Sequence, residues 1–337
     1  MLRLRTGSVG LLVALLGAAL PACYSPELAD GALKCSAGNA CPSGYTCVVD
    51  GSCWHSGRAP HKPSAPQSVE ATPTLDGNII VIWQLPSDQG GTLLTGFTVV
   101  ASPGGATTTT AGDTLVTFGG LSNTEQYTFT VVATNAAGNS VPSAPSAPVQ
   151  LPTLPGAPQN VTATASPSTA TVRWAAPTST GGLAISNYFV SSTPGGASAQ
   201  VAGDQLSASL FFLTNGTAYT FTVTAKNALG AGPTSTPSGS VTPATVPQAP
   251  VITQVAAGTG SAQVTWVAAP DGGSAITAFE LEESIDSAAY AAVTSTLATS
   301  VQVTGLNAGS SARFHVRAIN AVGPSAWSSQ SSAVTIR

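Results

Sequence analysis

The sequence predicts an all-β chain: three tandem β-sandwiches behind a small disulfide-rich segment. Three observations carry that expectation. Four landmarks recur three times each at spacings of 91 to 93 residues: Pro66, Pro158 and Pro250; Trp83, Trp174 and Trp266; the pairs Gly90-Gly91, Gly181-Gly182 and Gly272-Gly273; and Asn-Ala-x-Gly turns beginning at Asn135, Asn227 and Asn320. That period is too long for a solenoid repeat of about 20–50 residues and suits whole small domains in a row. Within each repeat, short runs alternate apolar and polar residues at period two between clusters of Gly, Pro, Asn and Ser, and no helical run of ten residues interrupts them.

The elements follow in chain order. Residues 1–22 read as an export leader: Arg3 and Arg5 form a basic start, and Val9–Leu20 is an apolar run of 12. A spanning helix needs about 20 apolar residues, so this run is too short to remain as an anchor. It ends in Leu20-Pro21-Ala22-Cys23, which resembles a bacterial lipobox. That resemblance implies lipidation of Cys23 and attachment to the membrane through the lipid, and Tyr24 in place of Asp points to the outer membrane by the sorting rule of such lipoproteins. The alternative is an ordinary leader cut near Ala22, with Cys23 left unpaired. Of five cysteines, removing Cys23 leaves four, an even number for an exported chain. Several acyl chains, at about 0.8 kcal/mol per buried methylene, hold stably.

Residues 23–62 hold those four, Cys35, Cys41, Cys47 and Cys53, six apart. So short a segment buries too little surface to fold alone, and disulfides supply the stability in an oxidising compartment. Structural zinc wants Cys pairs two to four residues apart, which this row lacks, so no metal is expected. Three pairings are possible; the interleaved one, Cys35–Cys47 with Cys41–Cys53, is the expectation. The string Cys41-Pro42-Ser43-Gly44-Tyr45-Thr46-Cys47, followed by Cys53-Trp54, resembles the Cys-rich modules placed after the lipobox in myxobacterial-type lipoproteins. Tyr45 and Trp54 serve either as the hydrophobic filling or as an exposed aromatic pair.

The repeats occupy residues 63–153, 154–245 and 246–337. Ile79–Trp83, Gly96–Val100 and Tyr127–Val131 read as strands of the first. The N-terminal Pro, the Trp of the second strand, Leu121 with Tyr127 six residues on, the Asn-x-x-Gly turn and a Ser-Pro-rich end resemble the fibronectin type III family. The resemblance implies immunoglobulin-like sandwiches and a role in adhesion or spacing. The second repeat supplies Leu213 and Tyr219; the third has Leu306 but Ala312 where the Tyr belongs. The tyrosine corner is therefore lost there, and the third repeat is expected to be the least stable. Short Pro-rich linkers, Leu154–Pro158 and Ala244–Gln248, read as semi-rigid spacers.

Charge and motifs exclude several function classes. Only 7% of residues are charged, with a formal net charge of −4. Residues 63–153 carry five acids and no Lys or Arg, a net of −5; the second repeat is +1 and the third −2. Nucleic-acid binding needs a basic stripe, and an anionic membrane surface a polybasic patch; neither occurs. His55 and His61 lie in the module tail and linker, and His315 alternates outward between Phe314 and Val316. No nucleophile motif, zincin motif or nucleotide fingerprint is present. Neither an enzyme nor a cofactor is expected. Glu280, Glu282, Glu283 and Asp286 read as a solvated strand face rather than a calcium site, which needs oxygens from several segments. Phe189, Phe212 and Trp327 fall off the core template and are the candidate ligand-contact aromatics. The sequence thus describes an interaction or spacer protein of the envelope, its partner an envelope protein or, through those aromatics, a polysaccharide.

Overall fold

The structure, a computed structural model, describes residues 33–36, 40–47, 51–55, 57 and 59–337. The expected leader and Cys23 lie outside the described residues. Among those described, every regular element is a strand.

The N-terminal segment holds β1 (Leu33–Lys34), β2 (Tyr45–Cys47) and β3 (Ser52–His55), in the antiparallel order β1-β3-β2. Disulfides join Cys35 to Cys47 and Cys41 to Cys53, with Cα atoms 5.8 and 5.7 Å apart. All four sulfurs are consumed, so none of them remains as a thiolate for a metal. The Trp54 indole N–H donates to the Ser52 hydroxyl at 2.9 Å, and Tyr45 packs against His55 with ring centroids 4.0 Å apart. Both aromatics are half-buried and fill the little sheet.

Three sandwiches follow. The first has β4 (Gln67–Pro73), β5 (Ile79–Gln84), β6 (Leu94–Ser102), β7 (Thr107–Thr110), β8 (Leu115–Phe118), β9 (Gln126–Asn135), β10 (Gly138–Asn139) and β11 (Val149–Gln150). Sheet β4-β5-β8 faces sheet β7-β6-β9, whose far edge takes β10 and β11. The second has β12 (Gln159–Ser166), β13 (Thr169–Ala175), β14 (Asn187–Thr193), β15 (Ser198–Ala202), β16 (Ser207–Phe211), β17 (Thr220–Asn227) and β18 (Gly230–Thr234), in sheets β12-β13-β16 and β15-β14-β17-β18. The third repeats this with β19 (Val251–Gly258), β20 (Ser261–Val267), β21 (Ile276–Ile285), β22 (Ala291–Thr296), β23 (Ser300–Thr304), β24 (Ser311–Asn320) and β25 (Val334–Thr335), in sheets β19-β20-β23 and β22-β21-β24-β25.

Period-two patterning sets each core, because successive side chains of a strand point to opposite faces. On β9 every second residue from Tyr127 to Asn135 is buried, and β17 and β24 alternate likewise. The three Trp lie inside, Trp83 and Trp266 edge-on to Phe97 and Phe279 at 5.3 and 5.7 Å and Trp174 tilted against Tyr188 at 5.3 Å. Each indole N–H is buried with no hydrogen-bond acceptor, so these residues act through volume. The Tyr127 hydroxyl accepts the Ser122 N–H at 3.0 Å, and that of Tyr219 accepts the Thr214 N–H at 3.1 Å. In the third repeat Ala312 is fully buried at that place, beside Ile336 in the same core.

The end of each repeat departs from a regular strand. Ser140, Ser143 and Ser146 come three residues apart, and all are buried. Their hydroxyl oxygens accept the N–H groups of Ala133, Val131 and Phe129 at 2.9–3.1 Å, while their own N–H groups donate back to the same residues' carbonyls. Ser325, Ser328 and Ser331 do the same on β24, and Ser235 and Ser238 on β17. A three-residue period suits an extended, proline-rich strand of polyproline type. Side-chain oxygens thereby satisfy sheet-edge donors that would otherwise template pairing with another chain.

Candidate functional site: linker clasps and exposed aromatics

Two of the repeated landmarks meet in space. The Asn opening each Asn-Ala-x-Gly turn is buried, and its side-chain nitrogen donates to two carbonyls distant in sequence. Asn227 donates to Thr153 at 2.8 Å and Thr180 at 3.0 Å; Asn135 to His61 and Gln89; Asn320 to Thr245 and Asp271. Its oxygen accepts the N–H two residues on, closing an Asx turn. The amide has two donors and one acceptor, and all are used. His61 in its linker, Thr153 at the threshold of its own and Thr245 within the next also donate their N–H groups to the first glycine of each pair, Gly90, Gly181 and Gly272, at 2.9–3.0 Å. A Cβ on any of these glycines would run into the linker carbonyl opposite. Each has a positive φ, 77, 73 and 76° respectively, so glycine is required twice over.

Every linker is thus clasped to the sandwich it enters. At the joint between the second and third repeats the contact extends further: a Cβ added to Gly216 of the second repeat would lie 3.1 Å from the Gly273 Cα of the third. A cleft of about 620 Å³ beside it is lined by Thr214–Thr217 and Pro270–Gly273. At the first joint the clasp carries charge. His61 Nε2 lies 2.8 Å from Asp88 Oδ2, while Asp88 Oδ1 accepts the Gly90 N–H at 2.8 Å. The bond to Asp88 raises the His61 pKa above its ordinary value, and the same bond lowers that of Asp88. The clasps are what sequence reasoning missed. The signal was present, since the Gly pair and the Asn turn keep one spacing in all three copies.

The candidate aromatics are not gathered together. Phe189 is 36% exposed on the outer face of β14, opposite the buried Tyr188 and Val190. Phe212 follows β16, in the other sheet, and is 99% exposed. Trp327 belongs to the third repeat and, unlike the expectation of an exposed ring, is half-buried. It stacks on His315 at 4.1 Å and 7°, with the Arg317 guanidinium 4.5 Å from its centroid. Tyr290 stacks on His315 as well, at 3.8 Å. The sister repeats have Thr130 or Thr222 where β24 has His315, so only the third repeat offers a flat ring there.

Acidic residues flank that stack. Glu282 meets His315 at 2.8 Å and Glu280 meets the Arg317 Nε at 2.6 Å across the β21–β24 pair. They do lie on the outer strand face, but as cross-strand partners of basic groups. Glu283 sits opposite the fully buried Phe314, and burial pushes its carboxyl above the usual range. No nucleophile, base and oxyanion donor converge among the described residues.

A family model agrees with this architecture. The fibronectin type III domain model matches residues 64–149, 156–241 and 246–334. Endoglucanase B of Cellulomonas fimi is 36% identical over 172 residues, covering 47% of this chain and 16% of that enzyme's own length. A crystal structure of chicken CNTN1 FN1-FN3 domains is 18% identical, covering 82% of this chain and 99% of that one with a TM-score of 0.31. With three matched segments that together make up most of its length, the chain belongs to the fibronectin type III family.

Proposed function

We propose that the protein is a non-catalytic, lipid-anchored component of the bacterial cell envelope, an extended interaction or spacer module at the outer membrane. The observation that carries this reading is the clasp repeated at Asn135, Asn227 and Asn320, which hydrogen-bonds each linker to the domain that follows it. Joints held in this way favour a spacer over beads on a flexible string. Anchoring through Cys23 rests on the lipobox-like Leu20–Cys23 and on the four other cysteines being paired with one another. The match to an endoglucanase covers 16% of that enzyme, so its catalysis is not carried over. A second reading, polysaccharide binding, is favoured by the complete exposure of Phe212.

Small-angle scattering of the Cys23→Ser chain tests the spacer. At ~33 Å for a ten-residue strand, three domains end to end span roughly 100 Å. A particle near half that length would overturn the reading. Loss of the Cys23→Ser chain from the membrane fraction is the expected sign of the anchor.

A further inference from the structure

In the second repeat a large aromatic ring stands at a backbone position that is glycine in the other two. The strand before each repeated Leu ends in Phe118-Gly119-Gly120-Leu121 in the first repeat and Val303-Thr304-Gly305-Leu306 in the third, but in Leu210-Phe211-Phe212-Leu213 in the second. The backbone is left-handed at the third position in all three, with φ of 71° at Gly120, 81° at Gly305 and 61° at Phe212. Glycine adopts that conformation freely, whereas an aromatic residue there is an outlier. Nor does packing compensate: Phe212 is 99% exposed and Phe211 58%, while Leu210 and Leu213 on either side fill the core. A strained residue with its whole ring in water contributes nothing to folding, and an observed outlier of this kind points to function.

The surroundings say what the pair fits. The outer face of β12-β13-β16 is built of Thr162, Thr164, Ser166, Thr171, Ser207 and Ser209, with Phe211 paired across from Thr169 at the end of the strand. Arg173 is the one charged residue in these three strands. Two residues beyond Phe212 begins the Thr214–Thr217 wall of the polar cleft between the second and third repeats. Hydroxyls in a flat array, almost no charge and an exposed aromatic pair at the edge match a sugar chain, whose C–H faces cover aromatic rings and whose hydroxyls exchange hydrogen bonds with Ser and Thr. A protein partner would call for a broader apolar patch than two rings.

We propose that Phe211 and Phe212, with the hydroxyl face of β12-β13-β16, form a binding site for a neutral polysaccharide chain. This rests on the polysaccharide reading above and narrows it to one surface. Phe189, on the opposite sheet, and Trp327, covered by His315 and Arg317, are not part of it.

The test uses the full chain, purified in detergent with its disulfides formed, and its depletion by insoluble cellulose, chitin and a neutral β-glucan. Its variants exchange the second repeat's residues for those of the third: Phe211→Thr and Phe212→Gly. The double variant is expected to bind at least tenfold more weakly. Because Gly relieves the left-handed backbone, it is also expected to melt no lower, and up to about 4–8 °C higher, than the parent. Weaker binding with undiminished stability supports the site. Binding that survives the exchange but falls with Phe189→Ala keeps the polysaccharide reading and overturns this site. A parent chain that binds none of the three overturns both. A drop in melting temperature shows that the two rings hold the fold, and Phe212-dependent self-association in sedimentation shows a protein contact instead; either outcome overturns the proposal.

Discussion

The side chain of Asn227 donates to the backbone carbonyl of Thr153, 74 residues earlier in the chain, at 2.8 Å. A linker residue is thereby tied to the turn that closes the domain it leads into. Replacing Asn227 by Ala leaves the Thr153 and Thr180 carbonyls and the Leu229 N–H without this partner in a partly buried place. The expected cost is about 1–3 kcal/mol, the range for losing one such polar network where water reaches part of it. Asn227→Asp keeps the acceptor and loses both donors, so it should be no better. Urea denaturation of both variants checks this; a destabilisation below about 1 kcal/mol would show that the clasp is incidental.

The two glycines of a pair should respond differently. Gly181 faces the Thr153 carbonyl, and a Cβ there also falls 2.7 Å from the carbonyl carbon, whereas Gly182 meets only the Pro152 Cα at 4.0 Å. Gly182→Ala should cost the left-handed penalty of about 1–2 kcal/mol. Gly181→Ala should cost clearly more and open the linker at Leu154 to proteolysis. Equal effects in denaturation and proteolysis would mean the linker yields without resistance.

Serine hydroxyls serve as sheet acceptors. Ser328→Ala removes the acceptor of the buried Val316 N–H and is expected to cost about 1–2 kcal/mol. The neighbouring exposed Ser329→Ala should stay within about 0.5 kcal/mol. Thermal melts of the pair separate the two.

At the first joint the pH dependence has a definite sign. His61 titrates above its ordinary value of about 6.5 when folded, so its contribution is complete below that value and is lost as pH rises through the folded pKa. Asp88 titrates below its ordinary value, so its contribution is present above about 3.9 and is lost as pH falls through the folded pKa. The pair is therefore most favourable between those limits. NMR titration should find His61 above 6.5, and Asp88→Asn should return it; a His61 pKa unchanged by that substitution would remove the pairing from consideration.

The third repeat, isolated as residues 246–337, should be the least stable of the three. It lacks the hydrogen bond that Tyr127 and Tyr219 make, worth about 1 kcal/mol. Its Glu280–Arg317 and Glu282–His315 pairs are partly exposed and contribute at most about 1 kcal/mol each. Scanning calorimetry of the separate repeats ranks them directly.

By itself the sequence determined the all-β architecture, the three repeats, the buried Trp of each and the outward turn of Phe189 and Phe212. These features rest on period-two alternation and on landmarks repeated in copy, which a single strand or turn displays within a few residues. The serine runs left a three-residue period in plain view, yet their meaning depends on which N–H groups lie opposite. Only the tertiary structure decided that the Gly pairs and Asn turns form one clasp, because their hydrogen bonds join residues 46 to 75 positions apart. It also covered Trp327, since the flat partners His315 and Arg317 come from a neighbouring strand, and it set Phe212 at a glycine's backbone angle. Alternation assigns a side chain to a face; what it meets there is set by segments the local pattern does not contain.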